Sequence, residues 1–130
     1  MIGKVSLLWA LTAVAATGQT APVERAVQGT SAITLHQHSF LTEEEVTTLR
    51  FVMTNDQALA LFVPRQGGFA ALAASPDDGF VRAGAPVKSA VAVGDLPDAA
   101  AAQAAALKAC EAAKTGAASC VIVLEIARAP

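Results

Sequence analysis

Two pairs of side chains in this sequence have the chemistry of a functional site. His36 and His38 lie two residues apart in a His-Gln-His run, and Cys110 and Cys120 are the only two cysteines. If residues 32–40 form a strand, alternate side chains share a face, so both imidazoles could reach one metal ion. A metal site needs a third ligand, however, and nothing in the linear sequence indicates which residue that would be. We therefore expect exposed strand-edge histidines, with a metal-dependent or hydrolytic site at His36 and His38 as the alternative.

The two cysteines belong to a helix and to a strand. Residues 97–113 are rich in alanine, the best helix former, and Pro97 suits the first helical position. Residues 120–127 alternate like a strand, which places Cys120 on the face of Ile122, Leu124 and Ile126. If that face meets the helix face of Cys110, the two Cβ vectors suit a disulfide. Cys-x9-Cys with no neighbouring histidine gives little support to a metal site.

The first 18 residues are organised like a secretory signal peptide. Lys4 supplies a positive n-region, residues 5–16 form a short apolar h-region, and small residues follow it. We expect cleavage after Ala16 or Gly18, which leaves about 112 residues, the size of one domain. We therefore expect a periplasmic or secreted protein with no membrane anchor after cleavage. An oxidising compartment favours a Cys110–Cys120 disulfide over two free thiols.

Composition and motifs exclude several classes of function. The formal net charge is −2 and becomes −3 once Lys4 is removed, so no basic patch is available for nucleic acid. The sequence has no Gly-x-Ser-x-Gly elbow, His-Glu-x-x-His pair, phosphate-binding glycine loop or dinucleotide fingerprint. We therefore expect no catalytic residue and no cofactor. A non-enzymatic binding or structural module remains, with an unknown periplasmic protein or small ligand as partner, contacted through an exposed apolar loop at residues 79–87.

The order of the elements follows from local signals. Residues 19–31 are small and polar, which indicates a flexible leader before a single domain over 32–130. Thr42 and Glu45 form a capping box that predicts a helix over 43–53, although the β-branched residues there leave a strand as the alternative. Gly116 is placed to end the alanine-rich helix in the left-handed conformation.

A hairpin completes the expected core. Residues 58–64 and 69–75 read as its two strands, joined by a turn at 66–68 and followed by a Ser-Pro-Asp-Asp-Gly turn at 75–79. Residues 89–94 read as the strand that leads into the alanine-rich helix. The resulting order is strand, helix, hairpin, strand, helix, strand. It predicts an α+β fold with one mostly antiparallel sheet and two helices on one face, with a ferredoxin-like arrangement as a special case.

The C-terminal half resembles an uncharacterised family of small exported proteins of Gram-negative bacteria. Four motifs carry the resemblance: a small-residue strand at 70–75, a Ser-Pro-Asp turn at 75–77, an Ala-Ala-Leu-x-x-Cys helix at 105–110 and a Cys-led strand at 120–124. The resemblance implies a structural disulfide and carries over no catalytic residue.

Chains of this type sometimes carry a 5-aminolevulinate synthase label, which the residues here do not support. Such an enzyme holds pyridoxal phosphate on a lysine inside a much larger α/β fold. Lys108 and Lys114 are expected on the alanine-rich helix beside Glu111, as solvated residues. Lys88 has no glycine-rich loop around it that could bind the phosphate of the cofactor.

Overall fold

The computed structural model describes residues 21–61 and 68–130. The expected signal peptide lies outside these ranges, as do residues 62–67, which include most of the expected turn at 66–68. None of the helices within the described ranges is long and apolar enough to span a bilayer.

Seven strands and three helices make up the described chain. They are β1 (Val23–Gln28), β2 (Ser31–His36), α1 (Glu43–Thr54), α2 (Asp56–Ala60), β3 (Phe69–Ala74), β4 (Val81–Arg82), β5 (Ala85–Pro86), β6 (Val91–Leu96), α3 (Ala99–Ala113) and β7 (Val121–Arg128). Five strands form one antiparallel sheet in the order β1-β2-β7-β3-β6, while β4 and β5 pair as a small separate hairpin. The α+β class and the antiparallel sheet are therefore confirmed.

The first strand lies where a flexible leader was expected. Residues 23–28 pair with β2 in an uninterrupted antiparallel register, from Val23 opposite His36 to Gln28 opposite Ser31. A two-residue turn at Gly29 and Thr30 joins the strands, with Gly29 at φ +60°. The expectation of a flexible leader over 19–31 is wrong for these residues, because every second side chain of β1 turns toward α1 and is partly buried.

The helices cover opposite faces of the sheet. Ala70, Leu72 and Ala74 of β3 pack in one core with residues of α1 and α2, whereas Ala71 and Ala73 pack against α3. The expectation of both helices on one face is therefore wrong, and the ferredoxin-like special case fails with it. The physical reason is the unbroken apolar run of β3, which leaves two hydrophobic faces that each need a cover.

The expected hairpin over 58–64 and 69–75 is also wrong. Ala58 to Ala60 belong to α2, and the side chain of Asn55 caps that helix by accepting the Ala58 N–H at 2.9 Å. The strand β3 exists as expected, but it pairs with β6 and β7. Residues 62–64 lie outside the described ranges.

Helix α3 is joined to the sheet by the disulfide. Its N-cap is Asp98, whose carboxylate accepts the Ala101 N–H at 2.7 Å, so Pro97 precedes the helix instead of starting it. Ala102, Ala106 and Cys110 form the buried face of the helix. Cys110 and Cys120 are bonded with their Cα atoms 6.1 Å apart, which confirms the expected pairing.

A bulge in β7 changes the face that its side chains use. Leu72 of β3 lies opposite Leu124, but the next residue, Ala73, lies opposite Ile122, so Val123 is an extra residue. Cys120 and Ile122 consequently pack on the α3 side, while Leu124 packs on the α1 side. The expected single alternation from Cys120 to Ile126 is wrong for this reason.

Candidate functional site

His36 is tied to the centre of the sheet. It ends β2, a strand covered on its outer side by β1, and its Nε2–H donates to Glu125 Oε2 at 2.6 Å. Glu125 lies on β7, and its other oxygen accepts a hydrogen bond from the amide of Gln103 on α3. Both members of the His36–Glu125 pair are about one quarter exposed (24%). Three elements of the fold therefore meet in one polar cluster at this position.

His38 lies in the loop after β2 and stacks on its neighbours. Its ring centroid is 5.5 Å from that of Phe40, with 17° between the planes, and 6.2 Å from that of His36. Its Nε2–H donates to the carbonyl oxygen of Ile122 at 2.8 Å. With the proton on Nε2, neutral His38 keeps Nδ1 as a hydrogen-bond acceptor.

These contacts correct the expectation of exposed strand-edge histidines. Both side chains are half-buried, because β1 occupies the edge beyond β2, and both use Nε2 to bond with β7. Over residues 21–61 and 68–130, no three His, Cys, Asp or Glu side chains are grouped so that they could hold a metal ion.

A cleft of about 370 Å³ opens beside His38, and we call it the His38 cleft. Its lining includes Pro22, Gln37, His38, Phe40, Pro76 and Val121. The Gln37 N–H donates to the carbonyl of Pro22 at 2.8 Å, which holds two of these segments together. Val121 directly follows the disulfide-bonded Cys120, so the opposite wall is anchored covalently to α3.

The expected turn at residues 75–79 fixes the wall formed by Pro76. The Gly79 N–H donates to the Ser75 carbonyl at 2.8 Å, which confirms the turn. Asp77 and Asp78 extend from it toward the connection between α3 and β7. Asp77 Oδ2 accepts the Ala118 N–H at 3.0 Å, and Asp78 Oδ2 accepts the Thr115 N–H at 2.9 Å.

The two aspartates are therefore structural residues of the turn. The hydroxyl and the N–H of Thr115, with help from Ser89, lower the pKa of Asp78. Gly116 is required here for space, because a Cβ at this position would lie 2.2 Å from Asp77 Oδ2. It does not adopt the expected left-handed conformation.

The sequence pattern predicted only a helix-capping role for Glu45, and the structure adds a second role. The capping box is confirmed: Thr42 Oγ1 accepts the Glu45 N–H at 3.2 Å, and Glu45 Oε1 accepts the Thr42 N–H at 3.0 Å. The same carboxylate is fully buried and also accepts the N–H groups of Phe80 and Val81, at 2.6 and 3.0 Å. Arg82 adds a cation 3.4 Å from Oε1. No local signal could have indicated these partners, which lie more than thirty residues away.

The loop at residues 79–87 does not supply the expected exposed apolar surface. Phe80 is buried in the main core and Val81 packs against that core. The exposed residues at the tip of the β4–β5 hairpin are Ala83, Gly84, Ala85 and Pro86, all small. The concave surface that lies beside the histidines is the His38 cleft.

Comparisons of the chain with protein-family models, with curated proteins and with solved structures found no match. The resemblance to small exported proteins of Gram-negative bacteria stays a prediction.

Proposed function

We propose that this chain is an exported, non-enzymatic binding module that holds a small aromatic ligand in the His38 cleft. The observation that carries the proposal is the composition of the cleft. The aromatic rings of His38 and Phe40 and the apolar rings of Pro22 and Pro76 line one concavity. Its volume of about 370 Å³ falls at the lower end of the range of small-molecule sites.

The chemistry of the lining selects the class of ligand. Aromatic and proline rings offer apolar surfaces on which a planar group can stack. The Nδ1 acceptor of neutral His38 suits a ligand that carries one N–H or O–H donor. Among the residues that the structure describes, no lysine or arginine lines the cleft, so the described lining offers an anionic ligand no counter-charge.

The cleft is also held in place before any ligand arrives. The disulfide stands behind Val121, Asp77 and Asp78 anchor the turn that carries Pro76, and the Ile122 carbonyl orients the His38 ring. A rigid site loses less conformational entropy on binding than a mobile one, which raises affinity for a given contact area.

Export is the second part of the proposal. The signal-peptide pattern of residues 1–18, the disulfide and the resemblance to small exported proteins support a periplasmic or secreted location.

Titration of the ¹⁵N-labelled protein with indole and with phenol tests the proposal. We expect saturable amide shifts centred on residues 37–40, 77 and 121, where Asp77 reports on the neighbouring Pro76, which has no N–H of its own. Phe40→Leu, which keeps an apolar side chain but removes the ring, should weaken binding at least about fivefold, the scale of one lost ring contact. Phe51→Leu is the matched control, because Phe51 is exposed on α1 and outside the cleft. Shifts spread evenly over the surface, or equal effects of the two substitutions, would contradict the proposal.

The His36–Glu125 pair supports a second candidate, a small hydrolase. A histidine oriented by a carboxylate is the usual arrangement of a general base. In the described part of the chain neither histidine is hydrogen-bonded to a hydroxyl or thiol, so such an enzyme would have to activate water. Hydrolysis of activated aryl esters that is lost in both His36→Gln and Glu125→Gln, with the fold retained, would favour this candidate over a binding module.

A further inference from the structure

We propose that strand β1 is a dimerisation edge: two copies of this chain pair their β1 strands antiparallel about a two-fold axis at Ala26. The two five-stranded sheets then join into one continuous sheet of ten strands. This surface does not include the residues that line the His38 cleft.

The two edges of the sheet are built differently. At the β6 edge, the strand contains Gly94, Asp95 has φ +64°, and the register with β3 shifts between Phe69 and Ala71. Irregularities of this kind prevent an edge from accepting another strand. The segment Val23–Gln28 contains no glycine, proline or register shift. In the described part of the chain, β1 is thus the edge that lacks these protections.

The main-chain groups of β1 are oriented for pairing. The carbonyl of Pro22 accepts the N–H of Gln37 on the β2 side. Because the direction of these groups alternates along a strand, Glu24, Ala26 and Gln28 also face β2. The N–H and C=O groups of Val23, Arg25 and Val27 point the other way, where no described strand lies.

The side chains select the register. An axis at Ala26 puts Arg25 opposite Val27 of the partner subunit, and Glu24 opposite Gln28 of the partner subunit. A carboxylate then faces an amide, and the arginine stem covers a valine that is 66% exposed in the single chain. An axis at Glu24 or Arg25 would instead place two like charges opposite each other, which is unfavourable. An axis further along the strand leaves fewer residues to pair.

Sedimentation velocity of the mature protein, from micromolar to millimolar concentration, tests the proposal. We expect a monomer–dimer equilibrium. Arg25→Pro removes one outward N–H from each subunit and leaves the hydrogen bonds to β2 intact. The dimer therefore loses two hydrogen bonds, and its dissociation constant should rise at least about tenfold. Arg25→Ala keeps that N–H and is the control, with a much smaller change.

A second pair of variants tests the register even if Arg25→Pro unfolds the protein. Val27→Glu places a carboxylate opposite Arg25 of the partner subunit and should preserve or tighten the dimer. Val27→Lys places a like charge there and should weaken it. A protein that stays monomeric at millimolar concentration overturns the proposal. The same holds if the protein binds an added extended peptide but does not dimerise. A dimer insensitive to all four substitutions also overturns it.

Discussion

The main-chain N–H of Phe80 donates to the carboxylate of Glu45 at 2.6 Å, although the two residues lie 35 positions apart. The same carboxylate closes the capping box of α1 with Thr42. One buried side chain therefore both starts a helix and anchors the hairpin that follows the turn at residues 75–79. A buried carboxylate is tolerated here because several N–H donors and Arg82 surround it.

This arrangement predicts a specific dependence of stability on pH. Burial by itself would raise the pKa of Glu45, but the N–H groups of Phe80, Thr42 and Val81 and the charge of Arg82 bring it below its ordinary value. A lowered pKa in the folded state means that the stabilisation is complete above the ordinary glutamate pKa of about 4.3 and is lost as the pH falls below it.

Glu45→Gln should therefore flatten the acid side of the stability profile. We expect the variant to be less stable by about 2 kcal/mol at neutral pH, the scale of hydrogen bonds to a charged group, and the difference to shrink in acid. Urea unfolding at several pH values measures both. Glu44→Gln is the control, since Glu44 is exposed on the same helical turn. An unchanged pH dependence in Glu45→Gln would refute this account.

Two glycines with the same backbone φ allow the cost of a strained backbone to be measured apart from the cost of a steric clash. Gly79 and Gly84 both have φ +73°, but a Cβ on Gly79 would lie 2.2 Å from Arg82 Nε, whereas one on Gly84 would meet nothing within 4 Å. Gly84→Ala should cost about 1 kcal/mol for the left-handed backbone alone. We expect Gly79→Ala to cost more, because Arg82 must also leave its position near Glu45. Equal losses in thermal or urea unfolding would show that Arg82 moves without penalty.

The disulfide should contribute a large share of the stability. Cys110 and Cys120 are ten positions apart, and closing so short a loop stabilises a fold by about 3 kcal/mol on the chain-entropy model. Replacing both with alanine should lower the melting temperature by well over 5 °C while circular dichroism still reports the fold. Non-reducing mass spectrometry of the wild type should show two hydrogens fewer than the reduced chain. Two alkylatable thiols in the native protein would contradict the bond itself.

Export predicts a defined new N-terminus. The mature protein recovered from the periplasm or medium should begin between Thr17 and Ala21, which N-terminal sequencing determines directly. A substitution of Ala16 by a bulky residue should slow cleavage, because signal peptidase requires small residues near its site. Soluble exported protein that still begins with Met1 would refute the signal peptide and weaken the compartment argument for the disulfide.

Signals confined to a few residues predicted their structures correctly. The capping box of Thr42 and Glu45, the turn at residues 75–79 and the Cys110–Cys120 pair all depend on short-range geometry. Helix α2 was not predicted, although Asn55 followed by Asp56 is a local helix-start signal. The apolar run after it was read as a strand, and short apolar runs do not distinguish the two.

Features that depend on distant partners were not predictable. The sheet order decides that β1 covers β2, and this order turns His36 from an edge residue into one that bonds with Glu125 and thereby with α3. The bulge at Val123 is set by pairing with β3, so the alternation read from Cys120 onward could not reveal it. The His38 cleft likewise joins residues from four separate segments of the chain.

The position of β7 also has a consequence for the order in which the sheet can form. It is the last strand in sequence but the middle strand of the sheet, and both β2 and β3 pair with it. A polypeptide that emerges N-terminus first can pair β1 with β2 and β3 with β6 early, but these two parts of the sheet share no partner until β7 arrives. For an exported chain this order would suit a channel that carries unfolded polypeptides, because the five-stranded sheet cannot be completed before β7 has emerged.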